Sequence, residues 1–300
     1  MLKKLFIIFV FMMGLLFSVS CDNNNNNNNN DEPEKVTVES GIAALKETGN
    51  YQLNIDMKTI YSDNEIEDMV SFNISVKGNA QKIVFNEGNY SVSLYTVTET
   101  KDDVEDLYII FNANDIADDL TGYVKVSLNE LKELFFDNPD VDIKPGAGLN
   151  TEEVTPGDEV SEEEKIFKAL TDLGNFFMNL KDEYFDLVDV EDYYYVFNET
   201  GKSSFKAVMD EFVKVASNGE TNADVMEIDI EVTAQVDDKY LTNLLVDLIG
   251  KNIDDGETET IRFDAAFEKI GEVEVILPTE TMTLEEFVLL VQGGGSVEIA

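Results

Sequence analysis

The side chains that usually carry enzyme chemistry are scarce in this chain. It has no histidine and no tryptophan, a single cysteine, Cys21, and a single arginine, Arg262. That removes imidazole acid–base catalysis, Ser-His-Asp and Cys-His nucleophiles, zinc sites with His or Cys ligands, and any intrachain disulfide. Carboxylate is what remains, with 62 Asp and Glu against 21 Lys and Arg. Asp63, Glu65, Glu67 and Asp68, and again Asp102, Asp103, Glu105 and Asp106, offer the oxygen ligands a hard cation wants. Neither cluster has the EF-hand spacing with its turn glycine, and in so acidic a chain both read as solvated loops. The same abundance leaves any glycosidase-like carboxylate pair without meaning. Gly293 to Gly295 follow a helix instead of opening one, so they do not form a phosphate-cradling loop. The residues therefore point to a non-enzymatic protein with no catalytic residue, metal or cofactor.

Cys21 is the one side chain whose setting suggests a definite reaction. Lys3 and Lys4 precede an apolar run from Leu5 to Phe17, which is too short to span a bilayer comfortably and has the layout of a secretory signal. Ser18 and Ser20 follow, and the run stops at Cys21. This order resembles the lipobox of bacterial lipoproteins, departing from it at Ser18, where Leu is commoner. The resemblance implies diacylation of the Cys21 thiol, with palmitate or similar chains, and cleavage between Ser20 and Cys21. The alternative is an ordinary cysteine after a conventional signal.

Residues 1–20 are thus read as signal peptide, and residues 21–35 as lipidated cysteine plus tether. Asn23 to Asn30 have nothing to bury and cannot offset the entropy of ordering, so the tract should act as a disordered spacer. The expected location is extracytoplasmic, lipid-anchored to the cell membrane on its outer leaflet, or on the periplasmic side in a diderm cell. Acyl chains would supply the membrane contact. The net charge of −41 repels phosphate backbones and anionic headgroups, which argues against nucleic acid as a partner.

Past the tether, period-two alternation dominates, interrupted by a few helical stretches. Val38 to Thr48 is expected to be helical, with Ile42, Ala43 and Leu45 packing and Gly49 stopping it. Tyr51 to Met57 and Val70 to Val76 place an apolar residue at every second position. Further strands are expected at Lys82–Asn86, Tyr90–Thr98, Leu107–Asn112, Tyr123–Val126, Tyr193–Phe197, Val225–Val236, Ile261–Phe267 and Val273–Leu277. Ser127 with Glu130, and Ser161 with Glu164, have the spacing of capping boxes. They would open helices running through Phe136 and across the stripe Ile166 to Leu180. Ser203–Ser217 and Thr283–Val291 read as helices. Lys239–Ile249 also reads as helical, with a strand as the alternative. Asp137 to Glu163 holds three of the five prolines and is expected to be a flexible acidic insert or linker.

The sequence Ala44-Leu-Lys-Glu-Thr-Gly-Asn-Tyr-Gln-Leu-Asn-Ile-Asp-Met57, the alternating strands, and the ending Phe267-Glu-Lys-Ile-Gly-Glu-Val-Glu-Val-Ile-Leu-Pro278 together resemble the LolA/LppX-like lipoprotein superfamily. The resemblance covers roughly residues 36–278, with a C-terminal helix and tail at 279–300. It implies an α+β fold: a curved antiparallel β-sheet, a half-open barrel, covered by helices. The insert at 137–163 departs from the compact pattern and leaves a two-domain division open. The resemblance further implies an apolar cavity between sheet and helices for a lipid or other apolar small molecule. Its inward candidates are Leu53 and Ile55, Phe72 and Ile74, Ile228 and Ile230, and Ile261 and Phe263, with Phe176 and Phe177 as a lid. The alternative is a filled core in a surface interaction protein, an adhesin or accessory subunit, whose partner is another protein.

Overall fold

The computed structural model describes residues 36–130 apart from 64, 102–103, 116–119 and 129, residues 168–216 apart from 170, 171, 173 and 178, and residues 226–293 apart from 253–257. The signal and tether, the acidic insert, the Ser161–Glu164 box and the C-terminal tail lie outside these residues.

Helix α1 (Val38–Thr48) opens with a capping box. The Thr37 side chain accepts from the Ser40 amide at 3.2 Å, and the Ser40 hydroxyl oxygen accepts from the Thr37 amide at 2.9 Å. Gly49, left-handed at φ 53°, closes it. The bounds are those expected, but the helix is turned so that Ala44, not Ala43, packs inward beside Ile42 and Leu45.

A meander of six strands follows: β1 (Asn50–Tyr61), β2 (Ile66–Lys77), β3 (Ala80–Glu87), β4 (Tyr90–Lys101), β5 (Val104–Asn112) and β6 (Tyr123–Ser127), each antiparallel to the next. Ser127 and Glu130 exchange the two bonds of a capping box, at 2.7 and 3.1 Å. Helical residues between 168 and 177 lead to β7 (Phe185–Asp189), β8 (Tyr194–Phe197) and α2 (Glu199–Ala216). Then come β9 (Met226–Asp237), β10 (Tyr240–Asn252), β11 (Thr258–Glu268), β12 (Thr281–Thr283) and α3 (Leu284–Gly293).

All twelve strands belong to one open, curved, mostly antiparallel sheet in the order β12-β6-β5-β4-β3-β2-β1-β11-β10-β9-β8-β7. Bulges in β2, β10 and β7 bend it. The seam between the two meanders is β1 against β11, where Leu53 faces Phe267 and Met57 faces Phe263.

Three expectations fail against this sheet. Lys239–Ile249 is not helical. Leu241 and Leu244 share a face because a bulge between Leu241 and Asn243 inserts one extra residue, and the resulting three-residue spacing imitates a helix. Val273–Leu277 alternates, but its hydrogen bonds do not join the sheet ladder. It runs as an extended strap whose Val275 and Leu277 cover Ala80, Val97 and Ile110 on the outer face, and the chain then adds β12 in parallel to β6. Helix α2 begins four residues before Ser203, because the Asn198 carboxamide oxygen accepts from the Thr200 and Gly201 amides at 2.9 and 3.1 Å.

The inner face carries the main core. Thirty buried residues from α1, β1–β3, residues 168–185, β8, α2 and β9–β11 form one cluster. Helix α1 lies on β9 and β10 there, and Gly41 sets the approach: a β-carbon would sit 2.7 Å from the Leu241 amide nitrogen. At the other end Phe287 of α3 meets Phe111 edge-on at 5.9 Å.

Candidate functional site

The first described residue, Val36, is bonded to β8. Tyr195 donates its phenolic hydrogen to the Val36 carbonyl at 2.5 Å, and burial pushes the phenol above its usual range. Ser20 and Cys21 lie outside the described residues.

Eight candidate positions share the inner face by register. Leu53 pairs with Ile74 and Ile55 with Phe72 across β1–β2. Ile261 faces Leu248, which faces Ile230, and Phe263 stands opposite both Met57 and Val246. Ile228 falls on the same face, opposite Gly250. Leu53, Ile55, Phe72, Ile74, Ile230 and Phe263 are buried in the main core, and Ile261 packs against it.

Phe176 and Phe177 form an aromatic knot at the helical side of the same core. Phe176 stacks on Tyr184 at 5.7 Å and meets Phe205 at 5.4 Å, while Phe177 lies 5.5 Å from Phe205. These rings join the helical residues 168–177 to α2 and β8. Gly201 makes that closeness possible, since a β-carbon there would lie 2.5 Å from the Tyr184 carbonyl oxygen.

Between α1 and the inner face is an apolar crevice bounded by Ile42, Leu45, Tyr51, Phe177, Leu241, Leu244 and Phe267. Its volume, about 10 Å³, is that of one water. Lys46 stands beside it, its ammonium within 3.4 Å of the Asn179 carboxamide oxygen, and burial pulls its pKa below the ordinary lysine value. Among the described residues it is the only charged group lining the crevice.

Sequence reasoning missed a polar break in the inner face. Along one cross-strand row Tyr51, Val76, Gln81, Thr96, Ile109 and Val126 follow one another from β1 to β6. Gln81 is fully buried, at 0% exposure, and its Oε1 accepts from the Thr96 hydroxyl at 3.3 Å. Its Nε2 has no partner, nor has the buried hydroxyl of Thr98, two residues beyond Thr96. The available signal was a polar pair, Gln81 and Thr96, in phase with the apolar positions Ile83 and Leu94.

The outer face of the central strands is polar. Arg262 donates from Nε and Nη2 to the two Asp247 oxygens at 2.8 and 2.7 Å, which raises its already high pKa, and Asn243 donates to Asp264 at 2.9 Å. Asp63, Glu65, Glu67 and Asp68 are exposed. Asp102 and Asp103 lie outside the described residues. Among the described residues no group of three or more Asp or Glu is placed to hold a metal, and no helix is long and apolar enough to cross a membrane. Comparison with protein families and with curated proteins finds no match to this chain.

Proposed function

We propose that this chain is an extracytoplasmic, non-enzymatic lipoprotein of the LolA/LppX-like kind, tethered to a membrane by acyl groups on Cys21. In this reading the curved sheet is a half-open barrel, and a lipid or other apolar ligand binds between it and the helices on its inner face. The observation that carries the proposal is the crevice under α1: seven apolar side chains, from two helical segments and three strands, meet there with a single ammonium at the side. With room for about one water, it admits an acyl chain only when α1 and the helical residues 168–177 move apart. Each square ångström of apolar ligand surface then removed from water contributes about 25 cal/mol.

The density of the core favours a second reading, a surface interaction protein with a filled interior. Leu53 is 1% exposed and Ile74 0%, as in a closed core. Uptake of a fluorescent fatty acid by the purified protein, together with lipid extraction and native mass spectrometry, separates the two. Saturable uptake supports the carrier; repeated recovery of ligand-free protein that takes up no probe supports the filled interior. The anchor is tested independently. Cys21→Ser is expected to abolish labelled-palmitate incorporation and release the protein from membranes, and unchanged membrane association would overturn the lipoprotein assignment.

A further inference from the structure

The inner face is apolar where it packs under α1, but two and three strands beyond β1 it buries two polar atoms, Gln81 Nε2 and Thr98 Oγ1, with nothing to bond. A buried donor left unpaired costs about 1–3 kcal/mol, and folded proteins keep few of them. Here two lie close together. Gln81 and Thr96 stand directly opposite across β3–β4, and Thr98 is the diagonal neighbour of Gln81 on the same face. Turning the Gln81 carboxamide over would offer Nε2 to Thr96 and leave Oε1 open instead, so one carboxamide atom stays free in either orientation.

The neighbours restrict the group that fits these atoms. Flanking positions on the inner face are Val76, Ile83, Leu94, Leu107 and Ile109, and no Lys or Arg occurs in the row from Val76 to Val126. A carboxylate or phosphate would be buried there without a counter-charge, at high cost. An alcohol, or the carbonyl of an uncharged ester, accepts from Nε2 or from the Thr98 hydroxyl without that cost. A hydroxyl suits either carboxamide orientation. Tyr51, which bounds the crevice, is two strand spacings from Gln81, about 10 Å, so the two places lie within reach of one amphiphile.

We propose that Gln81 and Thr98 form the polar end of the apolar site and hold the uncharged, oxygen-bearing head of an acyl-chain ligand. This rests on the apolar-ligand reading above. It adds the chemical class of ligand, neutral amphiphiles in preference to free fatty acids or hydrocarbons, and the residues that select it. A single buried water on the same atoms is the competing occupant.

The experiment uses the full chain carrying Cys21→Ser, so that no acyl anchor competes, and three probes of equal length: 1-dodecanol, laurate and dodecane. Probe retention after gel filtration and the melting temperature without probe are both read. The parent is expected to retain 1-dodecanol at least tenfold better than dodecane, and better than laurate, since one hydrogen bond of about 1.4 kcal/mol is a factor of ten. Gln81→Leu combined with Thr96→Val and Thr98→Val is expected to erase the dodecanol preference, leave dodecane retention unchanged, and melt at or above the parent temperature, because the two unpaired polar atoms and the Thr96 hydroxyl that bonds Gln81 have together been replaced by apolar groups. Equal retention of dodecanol and dodecane, a preference that survives the triple substitution, or laurate binding as well as dodecanol would overturn the polar end while leaving the apolar site standing. A lower melting temperature in the triple variant would show that the Gln81 amide and the Thr98 hydroxyl are already paired without ligand, and would overturn it too. Retention of none of the probes removes the apolar-ligand reading and this inference with it.

Discussion

The two faces of the sheet are covered in different ways. On the inner face a regular helix, α1, approaches so closely that Gly41 has no room for a β-carbon, and a continuous cluster runs from β3 to β9. On the outer face an irregular strap lays Val275 and Leu277 on a small tyrosine-rich patch formed by Ala80, Val97, Ile110, Tyr95, Tyr108 and Tyr123. Both covers exclude water from alternating strand positions. Only the first is sealed backbone to backbone, so the inner core should carry most of the stability and the strap should act as a local cover.

Substitutions on each side test that contrast. Leu53→Ala, at the centre of the inner cluster, should lose about 2–5 kcal/mol in urea unfolding, because neighbours on β1, β2 and β11 cannot all collapse into the space. Gly41→Val should lose about 1–3 kcal/mol, as the Leu241 backbone is forced away. Tyr195→Phe should lose about 0.5–1.5 kcal/mol by removing the bond to Val36. The same phenol gives a pH signature. Its folded pKa is raised, so the folded state holds the proton more tightly than the unfolded chain. Its contribution is complete below about pH 10 and falls as pH rises from there through the folded value, and Tyr195→Phe should flatten that alkaline decline. Leu277→Ala, in the strap, should cost about 1 kcal/mol or less. If Leu277→Ala cost more than Leu53→Ala, the strap would be a main support of the fold and the contrast would be wrong.

The parts of the fold that were legible in sequence are those where alternation or capping is unbroken. Tyr51, Leu53, Ile55 and Met57 announce β1, and Thr37 to Gly49 frame α1. The misreadings have physical causes. In β10 the bulge gives Leu241 and Leu244 helical spacing. In Val273–Leu277 period two reports an extended backbone with one covered side, and says nothing about whether its amides bond to a neighbour. Gly201 looks like a helix breaker yet lies inside α2, where only its missing β-carbon lets the helix meet Tyr184. As for the candidate site, strand phase was enough to collect Leu53, Ile55, Phe72 and Ile74 on one face. It could not show that Phe176 and Phe177 pack chiefly with each other and with Phe205, because that depends on where two helices cross. Gln81 escaped notice because one polar residue at the start of a strand resembles a turn until its neighbours are known.

The β1–β11 seam also governs the order of events as the chain folds. A chain that emerges amino end first presents β1 more than 200 residues before the partner that faces Leu53 with Phe267. Until β11 arrives, the first meander has an open flank of unpaired amides and carbonyls along β1, the kind of edge that recruits other chains. Pairings this distant along the sequence are made slowly. Self-repulsion from the net charge of −41 therefore has a task before the fold is complete: it keeps half-finished sheets apart while each waits for its own closing strand.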